Sequence, residues 1–373
     1  MSKVADFLSL FLPWSHPSLI YEVTSRCNLR CLHCYNVWKD EVAYPTEELG
    51  TERSLELVRR SVRQSRCGYF TFTGGEPLLR EDLEALVFEA TRHYARVNII
   101  TNGTLLPEER IKSLIAAGVD LFELPLNSSE RGVHNMLAGG LECFDKVTLA
   151  AAQIRKHGGK FAFVFVATKH NIDGAREALE LGGALGASGF LFNRYNAGGE
   201  CHRKPEDLMP SLEQLKRALA EANAYSELSG IGIGASIALP PCLIDHSIYP
   251  KLGFGYCAAG TKHAYYTLDP VGNVRPCNHT PTVLGNIFET SLKKMSRCVT
   301  LRRFMEARPA LCSGCRLELE CQGGCKAAAE ACYGSLHEPE PFLKLNTASI
   351  AKLIMAESPV ASHGDECHPC QRG

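Results

Sequence analysis

The chain has 373 residues, of which 45% are hydrophobic, and its formal net charge is −1 at pH 7. This near-neutral balance excludes the strongly basic surface that nucleic-acid binding needs, and the sequence has no apolar run long enough to span a membrane. The first 20 residues lack the layout of a signal peptide, so we expect a cytoplasmic protein. In a reducing compartment, 17 cysteines indicate metal clusters rather than disulfides.

Apolar strand-like runs alternate with helical stretches through the first half of the chain. The six predicted strands are Leu19–Thr24, Tyr69–Thr73, Val97–Thr101, Leu121–Leu124, Phe161–Val166 and Phe190–Phe192. The helical stretches between them are Ser54–Ser65, Glu81–His93, Glu108–Ala117, Phe144–Lys156 and Gly174–Leu185. This alternation predicts parallel βαβ units, and six units are fewer than the eight of a complete TIM barrel.

Three further elements are predicted in the second half. A helix with a capping box begins at Ser211 and runs to about Leu228, where glycines then break it. Tyr265–Leu268 followed by Asp269–Asn273 is typical of a β-hairpin. The run Leu345–Ala356 is predicted to be a helix that packs on the barrel.

Three cysteines follow the first predicted strand at spacings of four and three residues, namely Cys27, Cys31 and Cys34. Thiolates are the usual ligands of a [4Fe–4S] cube, so this loop can hold three of its four irons. The remaining iron is then free to bind and activate a small molecule. A zinc loop is the alternative, although zinc sites usually present four ligands in paired clusters.

The pattern Cys27-x3-Cys31-x2-Cys34, with the ring residue His33 before its third cysteine, resembles the signature of the radical S-adenosylmethionine (SAM) enzymes. The resemblance implies an α/β fold built on a partial (β/α)6 TIM-like barrel that is open on one side for substrate. It also implies a [4Fe–4S] cluster whose open iron binds SAM, with His33 near this cofactor. Electron transfer from the cluster would cleave SAM to methionine and a 5′-deoxyadenosyl radical, which abstracts a substrate hydrogen atom.

Distinctive residues follow the predicted strands, at the ends where parallel barrels place their chemistry. The motif Gly74-Gly75-Glu76-Pro77 follows the second strand, and in the family this element contacts the methionyl amino group of SAM. The resemblance places Asn102 near SAM, and Ser128 suits a ribose hydroxyl or the carboxylate. Arg194 suits a carboxylate of SAM or of the substrate. Each of these residue types is also common in ordinary turns.

A second group of cysteines begins at Cys257. Its spacing is Cys257-x14-Gly272-x4-Cys277, followed by Cys312-x2-Cys315-x5-Cys321-x3-Cys325. This spacing resembles the SPASM extension of the radical SAM family, a small cysteine-rich domain that binds two auxiliary [4Fe–4S] clusters. By family precedent, the ligands of the first auxiliary cluster would be Cys257, Cys277 and Cys325. Those of the second would be Cys312, Cys315 and Cys321. A pair of zinc ribbons is the alternative.

Each auxiliary cluster needs a fourth ligand, and here the sequence departs from the fullest form of the family pattern. No cysteine occurs in Ala258–His263, so the first cluster is left with Cys242 as a candidate ligand, or with an open iron that binds substrate. For the second cluster the candidates are Cys332 and the terminal pair Cys367 and Cys370.

These features divide the chain into five segments. We expect an N-terminal segment at residues 1–17, a radical SAM barrel at 18–210, a bridging region at 211–250, a SPASM domain at 251–335, and a C-terminal helix and tail at 336–373.

The resemblance implies an oxidoreductase, a radical SAM/SPASM maturase of peptides or natural products. The dominant substrates of the family are ribosomally made peptides, which are crosslinked, oxidised or epimerised. An external donor such as flavodoxin or ferredoxin would supply the electron. Only about 20 residues precede the first strand, fewer than the winged-helix recognition domain of many relatives requires. A peptide substrate would therefore need a separate recognition protein or direct docking.

Two alternative functions remain open. The same radical chemistry on a small molecule, such as a sugar, a tetrapyrrole or a cofactor precursor, would need no peptide-recognition domain. A non-catalytic iron–sulfur electron-transfer protein would release no 5′-deoxyadenosine from SAM, but it would have no use for Gly74–Pro77.

Two sequence details bear on the type of reaction. Sulfatase-maturing relatives carry an acidic residue directly after the second SPASM cysteine, where this chain has Asn278, so that reaction is not expected. Epimerase-type chemistry would need a free thiol near the substrate. The cysteines without an assigned role are Cys67, Cys143, Cys201 and Cys298.

Overall fold

The computed structural model describes residues 18–39, 44, 47–199, 204–261 and 263–350. Its strands are β1 Ser18–Glu22, β2 Tyr69–Thr73, β3 Arg96–Ile100, β4 Val119–Pro125, β5 Phe161–Ala167, β6 Phe190–Arg194, β7 Ile233–Ala235, β8 Leu252–Phe254, β9 Tyr265–Leu268, β10 Asn273–Arg275 and β11 Gly285–Asn286. Its α-helices are α1 Thr51–Ser65, α2 Leu83–Thr91, α3 Glu108–Ala117, α4 Arg131–Ala138, α5 Cys143–Lys156, α6 Ala175–Leu185, α7 Leu212–Ser229, α8 Leu292–Met295, α9 Val299–Glu306, α10 Glu318–Cys321, α11 Lys326–Tyr333 and α12 Pro341–Leu345.

The strands form one sheet in the order β11-β10-β9-β1-β2-β3-β4-β5-β6-β7-β8. Strands β1 to β6 are parallel neighbours in sequence order, and helices connect them. The six predicted strands are therefore confirmed, as is the α/β class with its partial (β/α)6 barrel. Two short strands that were not predicted, β7 and β8, extend the sheet beyond β6.

Each barrel strand turns one face to the helices and the other to the barrel interior. On β5, Phe163 and Phe165 are buried, whereas Val164 and Val166 stay partly exposed. Phe163 faces the helix layer, because a Cβ added at Gly182 of α6 would lie 2.9 Å from its ring. Successive side chains of a strand point to opposite faces, so Val164 and Val166 face the interior.

The cysteine-rich region joins the barrel through its hairpin. β9 pairs in parallel with β1, beginning with Ser18 opposite Tyr265, and β10 returns antiparallel to β9. The predicted hairpin is thus confirmed, although its pairing with the first strand was not foreseen. A buried ion pair between Glu22 of β1 and Arg275 of β10 crosses the same join. Cys277 follows just after the end of β10.

The helix predicted from Ser211 is confirmed as α7. Ser211 and Gln214 form a capping box, and the helix ends at Gly230 in the left-handed conformation that glycine favours. The following residues, interpreted from sequence as a connector, lead directly into β7. The strand was not predicted because it has only three residues and glycines surround it in the sequence.

Some predictions fall on residues that the structure does not describe. These are most of the Leu345–Ala356 helix, Cys201, Cys367 and Cys370. Within the described part of the chain, none of the helices combines the length and the hydrophobicity that a bilayer-spanning segment requires.

Candidate functional site

The cysteine loop, residues 27–34, leaves the carboxyl end of β1. The end of α4 supports it, since the backbone N–H of Leu32 donates to the carbonyl of Leu137 at 2.9 Å. Within the loop, the Cys34 N–H donates to the Cys31 carbonyl at 3.2 Å. This turn folds the loop back on itself, and all three of its cysteines remain partly exposed.

Burial makes the charged form of the loop thiols costly. It raises the pKa of Cys31 to about 12, with the Cys34 and Cys27 thiols adding to the rise, and it also raises the pKa of Cys27. Ligand thiols must lose their protons, so a metal centre has to supply the compensating charge. A set of three such thiols fits an iron–sulfur cluster, which takes thiolate ligands.

Lys39 is a cation beside the loop that sequence reasoning missed. It ends a 3-10 turn, Val37–Lys39, and its ammonium hydrogen-bonds to the Cys34 sulfur. Burial acts to lower the pKa of Lys39, but the Cys34 and Cys27 sulfurs outweigh it, so the pKa is raised. No motif signals this contact, because Lys39 lies outside the cysteine spacing.

Two glycines bring the loop after β2 against the cysteine loop. The Gly75 N–H donates to the Thr24 carbonyl and the Glu76 N–H to the Arg26 carbonyl, both at 2.8 Å. A Cβ at Gly74, where φ is +145°, would lie 2.3 Å from the Thr24 carbonyl oxygen. A Cβ at Gly75 would lie 2.1 Å from the Arg26 carbonyl oxygen. The pair is therefore glycine because two backbones meet here without room for side chains.

The Glu76 side chain connects strand ends instead of facing a ligand. Its carboxylate accepts hydrogen bonds from the Thr101 hydroxyl at 2.6 Å, from the Asn102 N–H at 2.8 Å and from the Leu78 N–H at 3.1 Å. Glu76 is fully buried, and burial raises its pKa to about 7. Pro77 begins the 3-10 turn that Glu76 caps. The contribution of Glu76 to a cofactor site is therefore indirect, through the loops after β2 and β3.

Asn102 and Ser128 lie after β3 and β4, and both have protein partners. The Asn102 amide donates to the Asn28 side-chain oxygen at 2.9 Å, and the Asn102 oxygen accepts from the Thr104 N–H at 2.9 Å. The Ser128 hydroxyl oxygen accepts from the Glu130 N–H at 3.0 Å. Asn102 thus links the loop after β3 to the cysteine loop.

His33 carries a buried polar atom that lacks a partner. Among the described residues, no group hydrogen-bonds to its Nδ1. Burial, reinforced by His134, lowers the pKa of His33 to about 4, so the ring is neutral. Buried polar atoms are normally satisfied, and an orphaned ring nitrogen here fits a polar group bound beside the cysteine loop.

Arg194 has a protein partner in place of the expected cofactor or substrate carboxylate. The side chain is fully buried, its Nε donates to the Ala238 carbonyl at 3.0 Å, and it forms an ion pair with Glu340. The ring of Phe342 lies 4.9 Å from the guanidinium carbon. Arg194 therefore joins β6 to the segment after the cysteine-rich region, which corrects the expectation from sequence.

The first auxiliary cavity is lined by three cysteines from separate segments, Cys257, Cys277 and Cys325, together with His279 and Lys326. Burial raises the pKa of Cys325 to about 11 and also raises that of Cys277. The three cysteines that family precedent grouped together do therefore meet around one space.

The second auxiliary cavity is lined by four cysteines, Cys242, Cys312, Cys315 and Cys321. Three of them are the expected group, but Cys242 was expected at the first cavity. Its position differs because the turn after β7 carries it to the face lined by Leu317 and Leu343. Cys332, one of the three cysteines expected as candidates for the second site, lines neither cavity.

Side chains connect the cysteine loop with the first auxiliary cavity. Tyr35, directly after the loop, lies against His279 with ring centroids 3.9 Å apart. The Asn278 amide donates to the Tyr35 hydroxyl at 2.8 Å. The Asn196 amide nitrogen lies 3.3 Å from both the His279 Nδ1 and the Cys325 sulfur. Asn278, noted from sequence as a departure from the sulfatase-maturing pattern, therefore positions Tyr35 between the two sites.

Glu123 of β4 places a carboxylate in the barrel interior. Its neighbour Leu124 faces the helices, since a Cβ at Gly103 would lie 3.3 Å from the Leu124 side chain, so Glu123 faces inward. Among the described residues, Glu123 has no hydrogen-bond or ion-pair partner. Burial raises its pKa to about 7. Burial also raises the pKa of Tyr35, and the charge of Glu123 adds a smaller contribution to that rise.

Family models and solved structures agree with this arrangement. The model of the Radical SAM superfamily matches residues 21–182, and that of the SPASM iron–sulfur cluster-binding domain matches residues 257–321. Native anSMEcpe with bound AdoMet has a TM-score of 0.68 at 20% identity, covering 91% of this chain and 97% of that one. Streptococcus suis SuiB bound to S-adenosylmethionine has a TM-score of 0.70 at 16% identity, covering 91% of this chain and 80% of that one. At these identities, the likeness shows a shared fold.

The chain belongs to the radical SAM superfamily and carries a SPASM domain. It is therefore an enzyme whose cofactors are SAM, a [4Fe–4S] cluster and auxiliary iron–sulfur clusters. Within the described residues, no three His, Cys, Asp or Glu side chains converge as the ligands of a single ion would. The family assignment decides against the zinc loop and the zinc ribbons that the cysteine spacing left open.

Proposed function

We propose that this enzyme cleaves SAM reductively at the cysteine loop and abstracts a hydrogen atom from a ribosomally made peptide. In this proposal Cys27, Cys31 and Cys34 hold the cluster that binds SAM. The observation that carries it is the anchoring of this loop against Gly74–Pro77 at the carboxyl ends of parallel strands, where barrel enzymes place their chemistry. When bound, the cluster and SAM together supply the 5′-deoxyadenosyl radical.

The chain's own residues bind and position the reactants. We assign the backbone of Gly74–Pro77 to the amino group of SAM, and Ser128 to a ribose hydroxyl or the carboxylate. Glu76 and Asn102 hold the loops after β2 and β3 against the cysteine loop. The inward-facing Glu123 presents its carboxyl group to the substrate.

The auxiliary cavities extend the path for electrons. We assign Cys257, Cys277 and Cys325 to the first auxiliary cluster, and Cys312, Cys315 and Cys321 to the second. The Tyr35–His279 contact lies between the cysteine loop and the first auxiliary cavity. An external protein such as flavodoxin or ferredoxin would deliver the initiating electron.

Structures of similar fold support a peptide as the substrate. Native anSMEcpe has been solved with bound AdoMet and the Kp18Cys peptide, and Streptococcus suis SuiB with its precursor peptide SuiA. Both cover 91% of this chain, at 20% and 16% identity. On this basis a peptide side chain enters the barrel interior and is crosslinked, oxidised or epimerised.

The test is a reaction of anaerobically reconstituted protein with SAM and dithionite. We expect release of 5′-deoxyadenosine, measured by liquid chromatography and mass spectrometry. Short peptides encoded beside the gene are then added, and we expect one of them to change mass. Cluster-loaded protein that releases no 5′-deoxyadenosine would overturn the proposal. SAM cleavage that turns over a sugar, a tetrapyrrole or a cofactor precursor, and no peptide, would replace its substrate with a small molecule.

A further inference from the structure

We propose that Cys242 is the fourth thiolate ligand of the second auxiliary cluster, completing a four-cysteine site with Cys312, Cys315 and Cys321. The inference rests on the proposed function, because it takes this cavity to hold an iron–sulfur cluster. It adds a ligand that precedes the matched SPASM segment, residues 257–321, in the chain.

The turn that carries Cys242 is fixed by its own backbone and by the core. The N–H groups of Leu243 and Ile244 both donate to the Pro240 carbonyl, at 2.9 and 3.1 Å. Leu239, Leu243 and Ile244 are buried on either side of the cysteine. Proline also restricts the backbone at the start of the turn. The Cys242 side chain is therefore held at the cavity wall by anchors that do not depend on a metal.

Four sulfurs surround the second auxiliary cavity, and three of them come from one short segment. Cys312 ends a 3-10 turn, Cys315 follows it, and Cys321 ends α10. Cys242 comes from the turn after β7 and lines the same space. Apart from Glu318, the rest of the lining is apolar or glycine, including Pro240 and Leu343. The four thiols are therefore its main ligating groups, since thiolates are the usual ligands of iron–sulfur clusters.

The electrostatic surroundings of Cys242 agree with this grouping. Burial raises its pKa to about 12, and the thiols of Cys321, Cys312 and Cys315 contribute next, in that order. By contrast, Cys67 is buried in the core and lines neither cavity. Cys242 therefore differs from a cysteine that only fills the core, because it lines a cavity with three other cysteines.

The assignment has a chemical consequence for both cavities. Four thiolates are the full ligand set of a [4Fe–4S] cube, so each iron of the second auxiliary cluster would be bound by the protein. Such a centre suits electron transfer or structural support, and not substrate binding. Among the described residues, the first auxiliary cavity keeps three cysteines, and Cys242 is no longer available to complete it.

Alkylation of the intact, full-length protein tests the ligand set without any substitution. Anaerobically reconstituted protein is treated with iodoacetamide before and after removal of iron by a chelator, and each cysteine is scored by peptide mass spectrometry. We expect Cys242 to be protected together with Cys312, Cys315 and Cys321, and to become reactive once iron is removed. Cys298, which lines neither cavity, should react equally in both states.

Iron content gives a second, independent measurement. In a variant with Cys27, Cys31 and Cys34 all changed to alanine, two auxiliary cubes correspond to about eight irons per chain. Adding Cys242→Ala leaves three thiolates and an open iron at the second auxiliary cluster, so a chelator should remove about four of the eight irons faster than from the parent variant. Adding Cys332→Ala, the matched control, should leave the rate of iron release unchanged. Cys242→Ser should retain iron with an altered electron paramagnetic resonance spectrum, because serine oxygen replaces a sulfur ligand.

Three results would overturn the inference. The first is alkylation of Cys242 in loaded protein while Cys312, Cys315 and Cys321 stay protected. The second is protection of Cys367 or Cys370 instead of Cys242. The third is an unchanged rate of iron release and an unchanged electron paramagnetic resonance spectrum in Cys242→Ala. SAM cleavage is measured on the same preparations, so the two proposals fail separately. If loaded protein cleaves SAM but its Cys242 is alkylated, only this inference fails. If Cys242 is protected but the loaded protein does not cleave SAM, only the proposed function fails.

Discussion

In the part of the chain that the structure describes, the cysteine loop and the first auxiliary cavity each present three thiols, whereas the second auxiliary cavity presents four. The two three-thiol sites adjoin through the contact between Tyr35 and His279. The four-thiol site lies against apolar residues such as Leu317 and Leu343. Under the proposed assignments, each three-thiol site leaves one iron open to a reactant, whereas the four-thiol site binds every iron of its cluster.

The largest effect is expected from a substitution in the cysteine loop itself. Cys31→Ala removes one of the three proposed ligands to the cluster that binds SAM, so release of 5′-deoxyadenosine should fall to that of a protein-free control. Cys298→Ser is the matched control, because serine also caps the start of α9 and the site lines neither cavity. Residual 5′-deoxyadenosine release above background in Cys31→Ala would contradict the ligand assignment.

The next effect tests how the first auxiliary cavity is held to the barrel. Arg194→Met leaves Glu340 buried without its cation, at a cost of about 3–5 kcal/mol in the free energy of unfolding. Glu340 also accepts the Cys325 N–H at 3.0 Å, so iron should be lost more readily as well. Denaturant unfolding and iron release measure both effects. Lys112→Met, which removes an exposed ion pair with Glu109, should leave the free energy of unfolding nearly unchanged.

A smaller effect concerns the acid in the barrel interior. Because burial raises the pKa of Glu123 from 4.5 to about 7, the folded protein favours its protonated form. Burial of the Glu123 carboxylate therefore lowers the free energy of unfolding in a way that depends on pH. This loss of stability is absent well below pH 4.5, grows as the pH rises towards 7 and is constant above pH 7. Glu123→Gln should therefore stabilise the protein at pH 8, by at most about 3 kcal/mol, and much less at pH 5. A thermal-unfolding series across this range checks it, and an equal gain at both pH values would contradict it.

The smallest effect probes the contact between the two three-thiol sites. Tyr35→Phe removes the hydroxyl that accepts from Asn278, at a cost of about 1 kcal/mol, while the ring can still lie against His279. Thermal unfolding should show this loss. Tyr94→Phe changes a side chain that is 96% exposed and should have no effect. Identical melting of the two variants would mean that this hydrogen bond does not stabilise the folded enzyme.

Much of the barrel could be predicted because its signals are local. Each of β1 to β6 is a short apolar run, and the capping box at Ser211 lies within four consecutive residues. β7 was missed because a three-residue strand beside Gly230 resembles a connector. The pairing of β9 with β1 was also missed, because it joins residues that no local pattern relates.

The sequence predicted which cysteines of the candidate site belong together, but it did not predict the side-chain contacts around them. Local spacing grouped the cysteines of the loop, whereas Cys242 was misplaced because only the folded turn after β7 shows which cavity it lines. Arg194 and Glu76 have side chains that often bind ligands, so the sequence predicted them at the cofactor site. In the structure both are buried and bound to protein partners instead. Lys39 gave no signal, since its contact with Cys34 depends on an irregular turn.

The pairing of β1 with both β2 and β9 affects how the chain folds during its synthesis. A chain leaving the ribosome carries its first strand long before Tyr265 has been synthesised, and such distant pairings form slowly. Until the hairpin docks, β1 is a bare edge that other chains can pair with. A truncated protein that ends before β9 would keep every unit of the barrel and still be expected to aggregate.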